Sequence, residues 1–287
     1  METKIYKNGE FSICEDEYTM GYPRLCAHRG FNSIAPENSL PAYGAAVALG
    51  ADEIELDIWA TKDGVLVSSH DATLERTSDG VGNIYDKTYA ELLELDFGVK
   101  HGERFKGLRV LTFEEILQKF ACRVIMNIHV KIWDMAYLWP AADVFKRDML
   151  EEIVALIRKY GAERHCYFMS LNDDMLRRAR EYAPEIQICL GWNGDRDPLS
   201  LVKRGIALGA PKVQLYKPFF NEEAVRLAKE HGIICTVFWC ENINEDPKEA
   251  RSYIEDWGIE TVLTNDFLNI YNATRDLVDN KKPYKGE

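Results

Sequence analysis

The sequence predicts an α/β protein built as a (β/α)8 barrel, the TIM-barrel fold, on the basis of three observations. Short apolar runs alternate with amphipathic stretches of ten or more residues, which is typical of parallel strands joined by helices. Eight such runs occur, and the 287 residues are enough for a barrel, which typically needs about 250. No linker-like, low-complexity or repeated segment divides the chain, so we expect one domain over residues 1–287, with residues 65–110 as an insertion after the second strand. A doubly wound open sheet is the alternative architecture.

The predicted barrel strands are the apolar runs of four or more residues that end near a polar or aromatic side chain. In chain order they cover residues 25–28, 53–59, 124–131, 165–170, 186–191, 212–217, 233–239 and 261–265. Helix ends are predicted between them from capping residues. Asn221 precedes two acidic residues and so starts one helix, Pro247 follows Asp246 at the start of another, and Gly50 ends the helix that begins near Ser39.

One connection is too short to join parallel strands. Thr61-Lys62-Asp63-Gly64 leads from the second strand into the run from Val65 to His70. A parallel crossover needs about a dozen residues or more, so this run should fold back as an antiparallel hairpin that turns at Asp-Gly. If Ala60 pairs with Val65, the register places His70 opposite Glu55.

The composition limits the partners and the cellular setting. A net charge of −12 argues against general binding to nucleic acid or anionic membranes, although a few local cations could still hold an anionic substrate. No apolar stretch approaches the roughly 18 residues that span a bilayer, so we expect no stable membrane anchor and a cytoplasmic protein. The seven cysteines include no C-x-x-C pair and mostly have apolar neighbours, which favours reduced core thiols over disulfides or zinc ligands.

The second predicted strand carries acids at alternate positions, in Glu53-Ile54-Glu55-Leu56-Asp57. Residues two apart on a strand point the same way, so these acids would share the inner face of the barrel. Carboxylates crowded in a low-dielectric interior repel one another unless a cation or a proton joins them. Glu55 and Asp57 are therefore candidate ligands of a hard divalent cation, with magnesium or calcium suited to oxygen donors. The alternative is an acid-rich edge strand that faces water.

Other candidate site residues lie where predicted strands end, which is where barrel enzymes place their active sites. His28 and His70 could act as general acid and general base because imidazole titrates near working pH, and Arg29 presents a planar fork that suits phosphate. The alternative for each is a hydrogen-bonded core histidine or a surface arginine. The further strand-end residues are His129, Lys131, Lys217, Trp239 and Asn265, of which Lys217 and Trp239 are candidate substrate or phosphate contacts.

Five short motifs together resemble the signature of the glycerophosphodiester phosphodiesterase family. They follow one another in the family's order and spacing, and the similarity extends over roughly residues 24–270. The motifs are Ala27-His28-Arg29-Gly30, Pro36-Glu37-Asn38-Ser39, Glu55-Leu56-Asp57, Thr61-Lys62-Asp63-Gly64 and His70-Asp71.

The resemblance implies a role for each matching residue. His28 and His70 would be the catalytic histidines, Arg29 and Lys131 would contact phosphate, and Glu55 and Asp57 would bind the metal. His129 is a departure, because the family usually has Glu in this third ligand position. A nitrogen donor shifts preference from calcium toward zinc or manganese, so the expected single divalent ion is left open among Mg, Ca, Mn and Zn.

The function implied by this resemblance is metal-dependent hydrolysis of glycerophosphodiesters to glycerol 3-phosphate and an alcohol. The substrate is then a small-molecule phosphodiester, and its alcohol stays open, as do the oligomeric state and the choice between water attack and a cyclic phosphate intermediate. Two alternatives remain: a related lipid phosphodiesterase or lyase, and a phosphate-ester binding protein with a degenerate site. His129 is the residue that keeps the second alternative open.

Overall fold

The computed structural model describes residues 14–138, 149–239 and 244–283. In these residues nine strands form one sheet in the order β1-β9-β8-β7-β6-β5-β4-β2-β3, and β1 also pairs with β2. That last pairing closes the eight parallel strands into a barrel, while β3 is antiparallel to β2. The predicted (β/α)8 fold is confirmed, and the open-sheet alternative is wrong.

The strands match the eight predicted runs and the hairpin, with ends that differ by a few residues. They are β1 (Arg24–Ala27), β2 (Glu53–Ala60), β3 (Leu66–Ser68), β4 (Ile125–Val130), β5 (Cys166–Ser170), β6 (Gln187–Gly191), β7 (Lys212–Tyr216), β8 (Ile234–Phe238) and β9 (Thr261–Thr264).

The helices follow the strands along the chain. They are α1 (Leu40–Ala48), α2 (Tyr89–Leu92), α3 (Phe113–Phe120), α4 (Lys131–Leu138), α5 (Leu150–Lys159), α6 (Asp173–Tyr182), α7 (Ser200–Leu208), α8 (Glu222–Glu230), α9 (Pro247–Glu255) and α10 (Phe267–Val278). Their starts agree with the capping residues in the sequence: Ser39, Asn221 and Asp246 each accept a hydrogen bond from a main-chain N–H of the first turn. No helix in the described part of the chain is both long enough and apolar enough to cross a membrane.

The hairpin forms as predicted, but the predicted register is wrong by one residue. Ala60 pairs with Leu66 instead of Val65. The cause is a three-residue loop: the N–H of Thr61 donates to the carbonyl of Val65 over 2.9 Å, and Gly64 takes a φ of +84°. A three-residue hairpin loop favours glycine at such a left-handed position. His70 therefore lies beyond the end of β3 and does not pair with Glu55.

The N-terminal end of the barrel is closed by buried ion pairs. Arg24 contacts Glu17 at 2.8 Å and Glu53 at 3.2 Å, the hydroxyl of Tyr167 donates to Glu53 over 2.7 Å, and Lys212 pairs with Glu17. Buried charges require such partners. Glu53, the first acid of β2, thus has a structural role at the end opposite to the strand ends that carry the other acids.

The described cysteines agree with the expectation of reduced thiols. Cys14, Cys26, Cys122, Cys166, Cys189 and Cys235 are free, and the first and third of these are only partly buried. Cys240 lies outside the described residues.

Candidate active site

Two carboxylates and one imidazole meet at the C-terminal ends of β2 and β4. One ligand atom from each of Glu55, Asp57 and His129 lies within 4.8 Å of the other two. The Nδ1 atom of His129 is 3.4 Å from Oδ1 of Asp57 and 3.9 Å from Oε1 of Glu55. Both acids are buried, at 1% and 0% exposure. The structure therefore brings together the three residues that the sequence analysis nominated as metal ligands.

The two carboxylates have opposite electrostatic surroundings. Burial, and then the nearby charge of Asp57, raise the pKa of Glu55 to about 8. Burial alone would also raise the pKa of Asp57, but Lys131, whose Nζ lies 3.0 Å from Oδ1, and further cations hold it well below its usual range. Without a bound cation, Glu55 would therefore hold a proton near neutral pH.

His129 is fixed by Asp134, which the sequence analysis missed. The Nε2 atom of His129 lies 2.6 Å from Oδ2 of Asp134, and Oδ1 of the same carboxylate accepts from the hydroxyl of Ser170 and the N–H of Leu171. A carboxylate only accepts, so Nε2 carries a proton and Nδ1 faces Glu55 and Asp57. Burial and Lys131 lower the pKa of His129, but Asp134 and Asp57 outweigh them and raise it overall. A carboxylate behind a ligating histidine is a common feature of metal sites.

Asn38 holds Asp57 in place from the other side. Its Nδ2 donates to Oδ2 of Asp57 over 2.9 Å, and its Oδ1 accepts from the N–H of Asp57 at 3.2 Å. The hydroxyl of Tyr43 also donates to Oδ1, over 2.7 Å, which fixes the orientation of the amide. Asn38 was part of a recognised motif, but its positioning role depends on a contact with β2 that the motif alone does not reveal.

The turn after β1 presents Arg29 to the acids. Arg29 and Gly30 have φ values of 54° and 80°, and a Cβ on Gly30 would lie 2.7 Å from the main chain of Ala42. Only glycine fits so close to α1 in this conformation. The resulting turn lets the N–H of Arg29 donate to Oε2 of Glu55 over 3.0 Å and places its Nε 3.6 Å from Oδ2 of Asp57.

His28 is held in one tautomer by Asn265. Its Nδ1 lies 2.7 Å from Oδ1 of Asn265, whose amide orientation is fixed because Nδ2 donates to Glu245 over 3.1 Å. Nδ1 of His28 therefore carries the proton, and Nε2 lies 3.8 Å from Oε2 of Glu55. Burial, followed by the charge of Arg29, lowers the pKa of His28 well below its ordinary value. The imidazole is thus neutral, with an unprotonated nitrogen directed at the acids.

His70 lies at the rim of the site and has a carboxylate partner. Its carbonyl accepts from Nε1 of Trp59 over 3.1 Å, and its Nδ1 lies 2.7 Å from Oδ1 of Asp71. Arg76 holds that carboxylate at 2.5 Å and also binds Glu37. Burial and Lys131 lower the pKa of His70, while the hydrogen bond from His70 keeps the pKa of Asp71 well below its usual range.

Lys217 and Trp239 meet at α9, away from the acids. Nζ of Lys217 lies 3.1 Å from Oε2 of Glu249, and Nε1 of Trp239 donates to the same oxygen over 3.2 Å. Lys217 keeps 27% of its side chain exposed, whereas Trp239 is completely buried and packs against Tyr253. Neither is described in contact with Glu55 or Asp57, so the structure joins these two predicted residues to each other and not to the acidic pair.

A cavity of about 200 Å³ lies next to His70. Its wall includes Glu37 and Asn38 from the loop before α1, and Lys100 and His101 from the segment between β3 and α3. The cavity gives a small polar molecule access to the rim of the site.

Known proteins resemble the chain along nearly its whole length. The model of the Glycerophosphoryl diester phosphodiesterase family matches residues 28–268. A glycerophosphodiester phosphodiesterase of Caldanaerobacter subterraneus subsp. tengcongensis is 32% identical over 256 residues, which cover 88% of this chain and 97% of that protein. A second one, from Bacillus subtilis, is 28% identical over 83% of this chain and 82% of its own length.

Solved structures show the same fold. A phosphodiesterase of Oleispira antarctica, in complex with the product sn-glycerol-3-phosphate, superposes with a TM-score of 0.76 at 24% identity, covering 88% of this chain and 97% of that one. A glycerophosphoryl diester phosphodiesterase structure from Silicibacter pomeroyi gives the same TM-score at 22% identity, over 90% of this chain and 95% of its own.

Proposed function

The chain belongs to the glycerophosphoryl diester phosphodiesterase family of phosphoric diester hydrolases, and from that premise we propose a specific reaction and set of roles. The reaction is hydrolysis of a glycerophosphodiester to glycerol 3-phosphate and an alcohol, with one divalent metal ion. The product sn-glycerol-3-phosphate, bound by the Oleispira antarctica phosphodiesterase, supports glycerol 3-phosphate as the product here.

The observation that carries the metal proposal is the convergence of ligand atoms from Glu55, Asp57 and His129 in one site, where both carboxylates are buried. Burial and the nearby charge of Asp57 raise the pKa of Glu55 to about 8 even though His129, Arg29 and Lys131 act in the opposite direction, so the site can take further positive charge. A divalent ion would supply that charge, and Nδ1 of His129 already faces the carboxylates. The mixed oxygen and nitrogen donors suit manganese or zinc better than calcium. A metal ion in this position supplies Lewis acidity toward a phosphate oxygen and lowers the pKa of a bound hydroxyl.

Arg29 and Lys131 are proposed to neutralise the phosphate. Both cations lie against Asp57, at 3.6 Å and 3.0 Å, so their charged groups sit beside the same carboxylate. Preorganised cations of this kind stabilise charge that develops on the phosphate oxygens in the transition state. Lys217 would border the outer part of the substrate. Trp239 would hold Lys217 in position through Glu249, which both side chains contact.

The two histidines are proposed as the proton-transfer pair. Asn265 is an uncharged partner and leaves Nε2 of the buried, neutral His28 free to accept a proton from the nucleophilic hydroxyl. Burial and Lys131 lower the pKa of His70, but the carboxylate of Asp71 at Nδ1 opposes this shift, so His70 is the more readily protonated of the two histidines. We therefore assign His28 as the general base and His70 as the general acid for the leaving oxygen.

The test is a matrix of metals and substrates on chelator-stripped protein. Mg²⁺, Ca²⁺, Mn²⁺ and Zn²⁺ are added in turn to several glycerophosphodiesters, and release of glycerol 3-phosphate is measured. We expect release that depends on metal, with manganese or zinc more effective than calcium. Tight binding of the diesters without release under any metal would support a degenerate binding site instead. Accumulation of a cyclic phosphate as the final product would support the lyase alternative.

A further inference from the structure

We propose that Arg76 is a positioning residue of the proposed reaction, because it joins the general acid to a phosphate contact through two carboxylates. The contacts run in series from the insertion to the turn after β1. We call this series the ion-pair chain, and its members are His70, Asp71, Arg76, Glu37 and Arg29. The inference rests on the proposed function, since it adds a residue to the same reaction.

On the side of the general acid, the carboxylate of Asp71 lies between Arg76 and His70. Nε of Arg76 is 2.5 Å from Oδ2 of Asp71, and Nδ1 of His70 is 2.7 Å from Oδ1. Each oxygen of this carboxylate therefore has its own partner, so Asp71 cannot rotate without breaking one of the two contacts. The orientation of the His70 ring thus depends on Arg76 through Asp71.

On the side of the phosphate contact, Glu37 is shared by two arginines. Nη1 and Nη2 of Arg76 donate to Oε2 and Oε1 of Glu37 over 2.6 Å and 2.7 Å, which is a bidentate contact. Nη1 of Arg29 lies 3.1 Å from Oε1. The pKa of Glu37 is below its ordinary value: burial opposes the shift, and the hydrogen bonds from Arg76 lower the pKa more than the charge of Arg29 does. Arg76 therefore takes the larger share of the Glu37 charge and leaves Arg29 available to a phosphate.

A turn of the insertion presents Arg76 to both carboxylates. The turn covers residues 74–78: Leu74 is completely buried, and its carbonyl accepts from the N–H of Ser78 over 2.9 Å. Glu37 lies in the loop between β1 and α1, whereas Arg76 belongs to the insertion. Arg76 thus fastens the insertion to the barrel beside the proposed site.

Loss of Arg76 should disturb the two reacting groups in different ways. Glu37 would then place its charge on Arg29 and compete with a phosphate for that guanidinium. Asp71 would lose the contact that fixes its orientation, so His70 would donate its proton from a less well defined position. His70, Glu37 and Arg76 also line the cavity of about 200 Å³, so the ion-pair chain lies along that access to the rim of the site. The first effect concerns binding and the second concerns turnover, so the two can be measured separately.

The substitution Arg76→Gln tests both effects, with glycerol 3-phosphate as the probe for binding. Its Kd, measured by titration calorimetry on the metal-loaded protein, should rise by about 2- to 5-fold, the range that corresponds to one partly exposed ion pair. kcat for glycerophosphodiesters should fall by about 10- to 100-fold, as expected when a reacting group is misplaced. Arg104→Gln is the matched control, because Nη2 of Arg104 also ties the insertion to the loop between β1 and α1, at the carbonyl of Ile34 over 2.9 Å. The control should keep both values, and equal losses in the two variants would overturn the proposal.

A second substitution on each side of the chain separates positioning from a general loss of structure. In the Glu37→Gln background the competing carboxylate is gone, so Arg76→Gln should cause no further rise in Kd. In the Asp71→Asn background, Arg76→Gln should cause no further fall in kcat, because its effect on His70 passes through Asp71. A general loss of structure would instead make the losses add. Additive losses in either background would therefore contradict the joint role of Arg76.

Binding separates failure of this inference from failure of the proposed reaction, because the Kd for glycerol 3-phosphate is measured without turnover. If the wild-type protein hydrolyses no diester under any metal, but Arg76→Gln raises Kd only when Glu37 is present, the proposed function fails and Arg76 still positions the phosphate contact. If the wild-type protein binds no glycerol 3-phosphate, or if Arg76→Gln binds it as tightly as the wild type does, the inference is wrong whatever the activity.

Discussion

The substitution Asp134→Asn tests how His129 is prepared to bind a metal ion. Asp134 accepts three hydrogen bonds, two at Oδ1 from Ser170 and Leu171 and one at Oδ2 from His129. In the variant, the amide oxygen should stay at the Oδ1 position because two donors face it. The amide N–H would then point at Nε2 of His129. The imidazole can accept that hydrogen bond only by moving its proton to Nδ1, the atom that faces Glu55.

The expected loss of metal affinity follows from the contact that is removed. A hydrogen bond to a charged partner contributes about 1.5–3 kcal/mol, which corresponds to about 10- to 150-fold in a binding constant. Loss of a carboxylate behind a metal ligand commonly costs about 10- to 100-fold. We therefore expect the Kd for Mn²⁺ or Zn²⁺ to rise by about one to two orders of magnitude.

Titration calorimetry on chelator-stripped protein measures this change, and circular dichroism checks the fold. Asp52→Asn is the matched control: Asp52 is also buried and accepts from a main-chain N–H, that of Leu25 at 3.1 Å, but it lies at the other end of the barrel. The control should keep the wild-type Kd. A folded Asp134→Asn protein with wild-type affinity would refute the tautomer argument.

Three further outcomes are expected. Replacing His28 or His70 by Ala should lower kcat by about 10²–10⁴ while the circular dichroism spectrum is retained, and near-normal turnover in either variant would remove its assigned role. Restoring the family residue, as His129→Glu, should move activity toward magnesium or calcium, and an unchanged metal order would contradict the selectivity argument. Asp16 has its pKa lowered from 3.8 to about 2, with burial opposing the shift and the hydrogen bond from Arg164 the largest cause of it. The resulting stability is therefore full above about pH 4 and disappears as the pH falls toward 2. The urea midpoint of the wild type should then exceed that of Asp16→Asn above pH 4, and this advantage should vanish at pH 2.

The elements of the barrel were predictable because they rest on local signals. The period of the apolar runs, the caps at Ser39 and Asn221, and the shortness of the loop before Val65 each report on a few neighbouring residues. The predicted register of the hairpin was wrong because it depended on whether the loop contains three or four residues. The sequence contains Asp63-Gly64 in either case, and only the bond between Thr61 and Val65 decides it.

The second layer of the candidate site was not predictable from local signals. Asp134 lies in the first turn of α4, where acidic residues are common. The hydrogen bonds from Ser170 and Leu171 that hold it against His129 exist only because β4 and β5 are neighbours. The contact between His28 and Phe238 was hidden in the same way, since it exists only because β8 and β1 both pair with β9. The strand-end rule selected Trp239, but adjacent residues on a strand point in opposite directions, and it is Phe238 that reaches His28.

Glu53 and Glu55 point the same way along one strand and are both buried, but Glu53 forms an ion pair with Arg24, whereas burial and Asp57 raise the pKa of Glu55 to about 8. Arg24 neutralises the charge of Glu53, and the hydroxyl of Tyr167 donates a hydrogen bond to it, so Glu53 needs no cation from solution. Glu55, at the other end of the barrel, would hold a proton near neutral pH, and a cation from solution would have to displace that proton. The substitution His129→Lys would supply a positive charge beside Glu55 from within the chain. The resulting barrel should be more stable without metal and should have lost its hydrolytic activity. Inactive members of such a fold can thus arise by a single gain of charge.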